Sequence, residues 1–204
     1  MKPTKSLFVT AALILGTMGV QAADFVQNGN YLTVQLKQHQ NYGPSQIRLQ
    51  VVSDRIIRVQ ATAEQSFRSK QSLIIVPQEG KANYKVEEQG DDLIITTAAM
   101  RAVLNEATGQ ITFYDLKDQV LLKEVAQGGK TFKPFTVPDR EIGVDIAKVP
   151  EAQKHGWSWR ALFDSPDNEA FYGLGQHQSE ELNMKGKNED LFQYNTKVSV
   201  PFVI

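Results

Sequence analysis

The sequence predicts an all-β fold, a sandwich of antiparallel strands. Three observations carry this. Apolar and polar residues alternate in short runs after residue 30, the pattern of strands with one face buried. The runs recur about every ten residues with turn chemistry between them, the spacing of a sandwich or barrel. No window of about a dozen residues carries helical periodicity, so little helix is expected beyond the N-terminal stretch.

That stretch has the three zones of a secretory signal peptide. Lys2 and Lys5 give a positive start, Leu7 to Leu15 is an apolar run, and Val20-Gln21-Ala22 is a small-residue cleavage pattern. The run is well short of the ~20 residues that cross a bilayer. Residues 1–22 are therefore expected to be a signal peptide cleaved after Ala22, which implies a periplasmic or secreted protein. Residues 23–204 are expected to form the sandwich domain.

The first strand-like run is Tyr31–Lys37, where Leu32, Val34 and Leu36 alternate with polar partners. Ile47, Leu49 and Val51 alternate with Arg48 and Gln50 in the second. Further runs are Arg55–Ala61, Ser72–Val76, Asn83–Glu87, Leu93–Thr97, Arg101–Asn105, Gln110–Tyr114 and Val120–Glu124. Gln89-Gly90-Asp91 and Ala107-Thr108-Gly109 can close hairpins because glycine tolerates positive φ. Asp115–Asp118 is a polar turn. From Gln127 to Pro150 glycines and prolines are frequent, but Phe132, Phe135, Val137, Ile142, Val144 and Ile146 are too apolar for a tether. This segment is expected to hold strands with long connections inside the same domain. Ser165–Lys187 is a second loop-rich part. The chain ends on an apolar strand, Val198–Ile204, with no turn or polar tail. Such an end would be an edge hazard, and the expectation is a fold interrupted there.

Composition narrows the function. The chain has 204 residues, 22 basic and 23 acidic side chains and a net charge of −1. No basic cluster stands out, which argues against nucleic-acid binding. No membrane-length apolar stretch follows the signal. A neutral, polar partner fits this balance. The absence of cysteine excludes thiol catalysis, thiolate metal sites, disulfides and a lipid-modified cysteine. A mature part of about 180 residues should bury about 70% of its unfolded surface, enough for a core without disulfides.

A search for chemistry yields little. Acidic pairs occur at Glu87-Glu88, Asp91-Asp92, Glu180-Glu181 and Glu189-Asp190, but adjacent residues on a strand point to opposite faces. Asp91-Asp92 reads as a solvated hairpin tip and Glu189-Asp190 as loop surface. His39, His155 and His177 lie far apart with no ligand spacing, so no metal is expected. His177, between two glutamines, is the most site-like, with a surface loop histidine as the plainer reading. Gly128-Gly129-Lys130-Thr131 mimics the end of a phosphate loop, but Glu124 stands where that motif needs glycine. Gly173-Leu174-Gly175 lacks the third glycine of a dinucleotide fingerprint. Neither implies a cofactor, and none is expected. Trp157, Trp159, Phe163, Phe171 and Tyr172 form an aromatic cluster. Such faces can stack on sugars or fill a core, and core packing is expected. Trp157 and Trp159, two apart, would share one face of a strand.

The sharpest signal lies near the C-terminus. Phe171-Tyr172-Gly173-Leu174-Gly175-Gln176-His177-Gln178 is followed by Leu182-Asn183, Lys185-Gly186-Lys187, Gln193-Tyr194-Asn195-Thr196 and Val200-Pro201-Phe202. This ordered set resembles the end of the N-terminal domain of glycoside hydrolase family 31, which holds α-glucosidases and α-xylosidases. It is most similar to bacterial α-xylosidase-like members. The Gly109–Leu122 segment also resembles the family's sandwich, and the likeness covers residues 30–204.

The resemblance implies a galactose-mutarotase-like sandwich packed on a (β/α)8 barrel that carries an Asp nucleophile and an Asp acid/base and retains configuration. Neither catalytic segment occurs in this sequence, so no residue inherits a catalytic role. It further implies that Gly173–Thr196 reaches toward the barrel's active-site mouth, with Gln176, His177, Asn195 and Thr196 as candidates for contact with an oligosaccharide, an α-xyloside or α-glucoside. Lys197 departs from the acidic residue that many members carry after Asn-Thr. Two other functions stay open: a free-standing carbohydrate-binding sandwich, and a mutarotase-like sugar epimerase using His177.

Overall fold

The computed structural model describes residues 25–37, 41–69, 76, 83–127, 129–137, 145–177 and 181–204. The expected signal peptide, His39, Gln178 and most of the Ser72–Val76 run lie outside the described residues.

The chain folds as the predicted antiparallel β-structure. Strands β1 (Phe25–Asn28), β2 (Tyr31–Gln35), β3 (Gln46–Ser53) and β4 (Ile56–Thr62) form one meandering sheet. Strands β5 (Lys85–Gln89), β6 (Asp92–Thr96), β7 (Arg101–Asn105), β8 (Ile111–Tyr114) and β9 (Val120–Lys123) form a second. Every pairing joins sequence neighbours, so each turn alone sets a register. In β2 and β3 that register places Leu32 opposite Leu49 and Val34 opposite Ile47. In β6 and β7 it places Leu93 opposite Leu104 and Ile95 opposite Ala102.

These alternating positions make the core. Leu32, Val34, Ile47, Leu49 and Val51 of the first sheet and Leu93, Ile95, Leu104 and Ile111 of the second are fully buried in one cluster. Each such side chain contributes about 1.5–3 kcal/mol of hydrophobic stabilisation. Gly109, at φ +74°, closes the β7–β8 hairpin against the tips of Leu36 and Ile47. Asp115 holds the next turn, its carboxylate accepting from the Lys117 and Gln119 backbone amides at 2.7 and 2.9 Å.

Two ribbons leave the sandwich. Strands β10 (Lys130–Thr136) and β11 (His155–Ala161) pair along their whole lengths. A 3-10 turn at Ile146–Lys148 and a single helical turn, Glu151–Lys154, precede β11. Beyond Ala161 the chain joins the edge of β9, where the Val125 amide donates to Leu162 O at 3.2 Å and the Asp164 amide to Lys123 O at 2.8 Å. The second ribbon pairs β12 (Gly173–Gln176) with β13 (Val198–Val203).

The structure corrects two expectations and adds one strand. Trp157 and Trp159 do share a face, but they do not pack in the core: they are 41% and 68% exposed. Phe163 and Tyr172 are exposed as well. The reason is topological, because the β10–β11 ribbon carries the tryptophans away from the space between the sheets. The loop-rich stretch Ser165–Lys187 contains strand β12, hidden from propensity by its two glycines. Strand β1, which no expectation covered, pairs with β2.

Candidate functional site

The Tyr-Gly-Leu-Gly-Gln-His segment builds a bulged ribbon. Gly173, Leu174 and Gly175 have φ values of 124°, 65° and 106°, a left-handed run that interrupts the β12–β13 register between Gly173 and Gly175. The two glycines answer to sterics. A Cβ on Gly173 would meet Phe202 O at 2.6 Å, and one on Gly175 would meet Val198 O at 2.1 Å. Both positions need glycine for backbone freedom and for close approach of the partner strand. The ribbon is closed at its base by a reciprocal pair: the Tyr172 amide donates to Ile204 O at 3.0 Å and the Ile204 amide to Tyr172 O at 2.8 Å.

The bulge turns the Leu174 carbonyl toward His177, whose Nε2 lies 2.7 Å from it. A carbonyl only accepts, so Nε2 carries the hydrogen. On the other side of the ring, Nδ1 lies 3.4 Å from Glu189 Oε2, an ion-pair distance without the direction of a hydrogen bond. Glu189 Oε2 also takes the Lys197 ammonium at 3.0 Å, and Lys197 donates to Asp190 O at 2.7 Å. The hydrogen bond from Lys197 holds the Glu189 carboxyl below its ordinary range; partial burial opposes this, and the Lys197 and His177 charges add to it. The result is a polar knot, His177–Glu189–Lys197, tying loop 185–197 to the ribbon.

Asn183 pins the other end of this loop. Its Oδ1 accepts from the Phe171 and Lys185 amides at 3.0 Å each, while the Met184 amide donates to Phe171 O and its side chain is buried. The loop then turns at Tyr194–Lys197, closed by the Lys197 amide on Tyr194 O at 3.0 Å.

The structure places the four candidate residues at one end of this ribbon. Gln176 ends β12 opposite Val198 and is exposed. Asn195 and Thr196 are the exposed tip of the turn that leads into β13. His177 differs, because its side chain is only 7% exposed. It is not the surface loop histidine of the plainer reading; it holds the bulge. Glu189, expected on the loop surface, is drawn inward between His177 and Lys197. No motif marks the Glu189–Lys197 pairing, because a turn brings together residues eight apart. His155 is exposed and paired with Glu151 and Thr136 at 3.0 and 3.1 Å, away from this knot. Among the described residues no cluster of His, Asp and Glu could hold a metal.

Comparison with known proteins decides the family. Residues 46–204 match the model of the glycosyl hydrolase 31 N-terminal galactose mutarotase-like domain. The chain belongs to this family. The β-structure is accordingly the family's sandwich. An uncharacterized family 31 glucosidase of Pseudescherichia vulneris is 26% identical over 166 residues, covering 77% of this chain and 30% of the relative. The α-xylosidase of Xanthomonas citri is 34% identical with a TM-score of 0.72, covering 87% of this chain and 17% of that one. A soil-metagenome α-xylosidase shares the fold at 24% identity and a TM-score of 0.63, covering 89% and 26%. The chain thus spans less than a third of the length of these relatives, and it matches them in their non-catalytic N-terminal domain.

Proposed function

We propose that this chain is the N-terminal domain of an exported, retaining α-glycosidase of the α-xylosidase type, whose bulged ribbon contributes to the rim of a sugar site carried by the rest of that protein. The single observation that carries the reading is the 34% identity to an α-xylosidase of which the chain spans only the N-terminal part. The ribbon's form supports the rim role. The Asn183 turn pins its base and the His177–Glu189–Lys197 knot braces the other end, which leaves Gln176, Asn195 and Thr196 presented at a stiff tip. Pre-positioned amide and hydroxyl groups of this kind suit sugar hydroxyls.

An epimerase using His177 is less well supported. That role needs a ring nitrogen that substrate can reach, whereas Nε2 is held by Leu174 O and Nδ1 is buried beside Glu189. Residues 1–22 are proposed to export the protein to the periplasm or medium, which N-terminal sequencing of the mature protein would check at Ala23.

The test is hydrolysis. The 204-residue chain should release no p-nitrophenol from aryl α-xyloside or α-glucoside. A protein that joins it to a family 31 barrel should prefer the xyloside and retain the anomer. Asn195→Ala should then raise KM for an oligosaccharide severalfold more than it lowers kcat. Turnover by the 204-residue chain alone would overturn the reading, as would an Asn195→Ala enzyme with unchanged KM.

A further inference from the structure

The exposed tryptophans line a groove that the rim role does not use. In the β10–β11 ribbon, Phe132 pairs with Trp159 and Pro134 with Trp157. Cross-strand partners project to the same face, so one face of the ribbon is an aromatic wall. Opposite stands β4, the edge strand of the first sheet. Two hollows lie between them, of about 410 and 420 Å3, sharing Ala61 and Phe132. Each falls in the ~300–1,000 Å3 range of small-molecule sites.

Both hollows combine aromatic faces with charged groups that are already neutralised. In the first, Trp159, Phe132 and Phe163 surround the Glu124–Lys130 ion pair. That pair is built in: the Glu124 carboxylate accepts from the Ile111 amide at 2.9 Å, and Lys130 donates to Gly109 O at 3.1 Å. In the second hollow, Trp157 and Phe67 face Gln60, Thr62 and the Glu64–Arg68 pair. The Trp157 N–H points to Glu64 Oε1 at 3.4 Å, which orients the indole.

An aromatic wall with self-compensated charges disfavours an anion or a cation, since every formal charge has its partner. It favours a neutral ligand with apolar faces and a hydroxyl-rich rim, whose C–H faces stack on rings and whose hydroxyls meet carboxylate and amide oxygens. We propose that the groove between β4 and the β10–β11 ribbon binds a neutral oligosaccharide, one sugar unit on each of Trp159 and Trp157. This makes the domain a carbohydrate-binding module in its own right, whatever bond the parent protein cleaves.

The chain contains two tryptophans, and both lie in the groove, so intrinsic fluorescence reads the site without a label. The purified chain is titrated separately with a xyloglucan heptasaccharide and with maltotriose, each to about 10 mM, with calorimetry in parallel. A saturable change in tryptophan emission is expected with at least one of them. Trp159→Ala should weaken binding about tenfold by calorimetry with unchanged circular dichroism, because the side chain is largely exposed. Val26→Ala, an exposed position on β1, should bind as the parent does. Three results overturn the proposal: no emission change and no heat with either sugar; binding that survives the Trp157→Ala, Trp159→Ala double variant; or self-association that Trp159→Ala abolishes, which would make the face an interface between copies. No hydrolysis is measured, so failure here leaves the glycosidase reading standing, and the reverse also holds.

Discussion

The Glu124–Lys130 pair offers the sharpest test of how the sandwich and the first ribbon are joined. Both side chains are nearly buried, at 6% and 9% exposure, and they link the β7–β8 hairpin, the end of β9 and the start of β10. Glu124→Ala leaves the Lys130 ammonium buried with one carbonyl partner and the Ile111 amide with none. Breaking a buried pair in this way costs about 3–5 kcal/mol. For a domain of this size, at about 2–4 °C per kcal/mol, the melting temperature should fall by roughly 6–20 °C. The double variant Glu124→Gln, Lys130→Met should lose less than the sum of the single changes. Gln keeps an acceptor for the Ile111 amide, and Met matches the lysine stem without its charge. Urea unfolding at pH 7 would measure the cycle, with coupling of about 1–3 kcal/mol expected. A second signature is pH. Burial, opposed by Glu124, lowers the Lys130 pKa from its ordinary 10.5. Between the folded and unfolded values the unfolded chain binds more protons, so this group's contribution to stability rises as pH approaches 10.5. Lys130→Met should remove that rise. Single variants within about 1 kcal/mol of the parent, or strict additivity, would refute the link.

Three further outcomes follow from the C-terminal ribbon and its knot, the first with a control on β11. Gly175→Ala should destabilise the ribbon by about 2 kcal/mol or more, since its Cβ would overlap Val198 O and its φ is positive. Gly156→Ala, with nothing within 4 Å of its Cβ, should stay within about 1 kcal/mol in the same melts. Glu189, whose folded pKa is depressed by Lys197, contributes stability that is present above its unfolded value of 4.5 and lost as pH falls through the folded value. The gap in melting temperature between the parent and Lys197→Met should therefore shrink below pH 4.5, and a gap that holds at low pH would count against the knot. His177→Phe keeps the ring but loses the donor to Leu174 O. Amide exchange at Gln176 and Val198 should then quicken about tenfold.

Much of the sandwich was legible because its strands each bury one face. Leu32, Val34, Ile47, Leu49 and Val51 alternate with polar neighbours, and the fully buried positions are the ones that alternation selects. The hairpin turns were legible because Gly90 and Gly109 sit at positive φ. What failed did so where burial and alternation part company. The β10–β11 ribbon is apolar yet outside the core, so Trp157 and Trp159 gave the pattern of core strands and stand in the open. Strand β12 lacks alternation altogether, because two of its four residues are glycines chosen by contact with β13 rather than by propensity.

The family match runs over residues 46–204, yet the C-terminal motif is its most specific part. Alternating Val, Ile and Leu satisfy any half-buried strand, and many residues can fill each position. At the bulge each choice is constrained by another far along the chain. Gly173 and Gly175 are required by the carbonyls of Phe202 and Val198, and the carbonyl they expose at Leu174 calls for the donor at His177. The other side of that ring meets Glu189, whose charge is met by Lys197. A change at one place leaves a clash or an unpaired group at the next. A resemblance seated in residues 171–204 therefore tracks one three-dimensional arrangement, a stiff ribbon with a polar tip, and that geometry is what the rim role rests on.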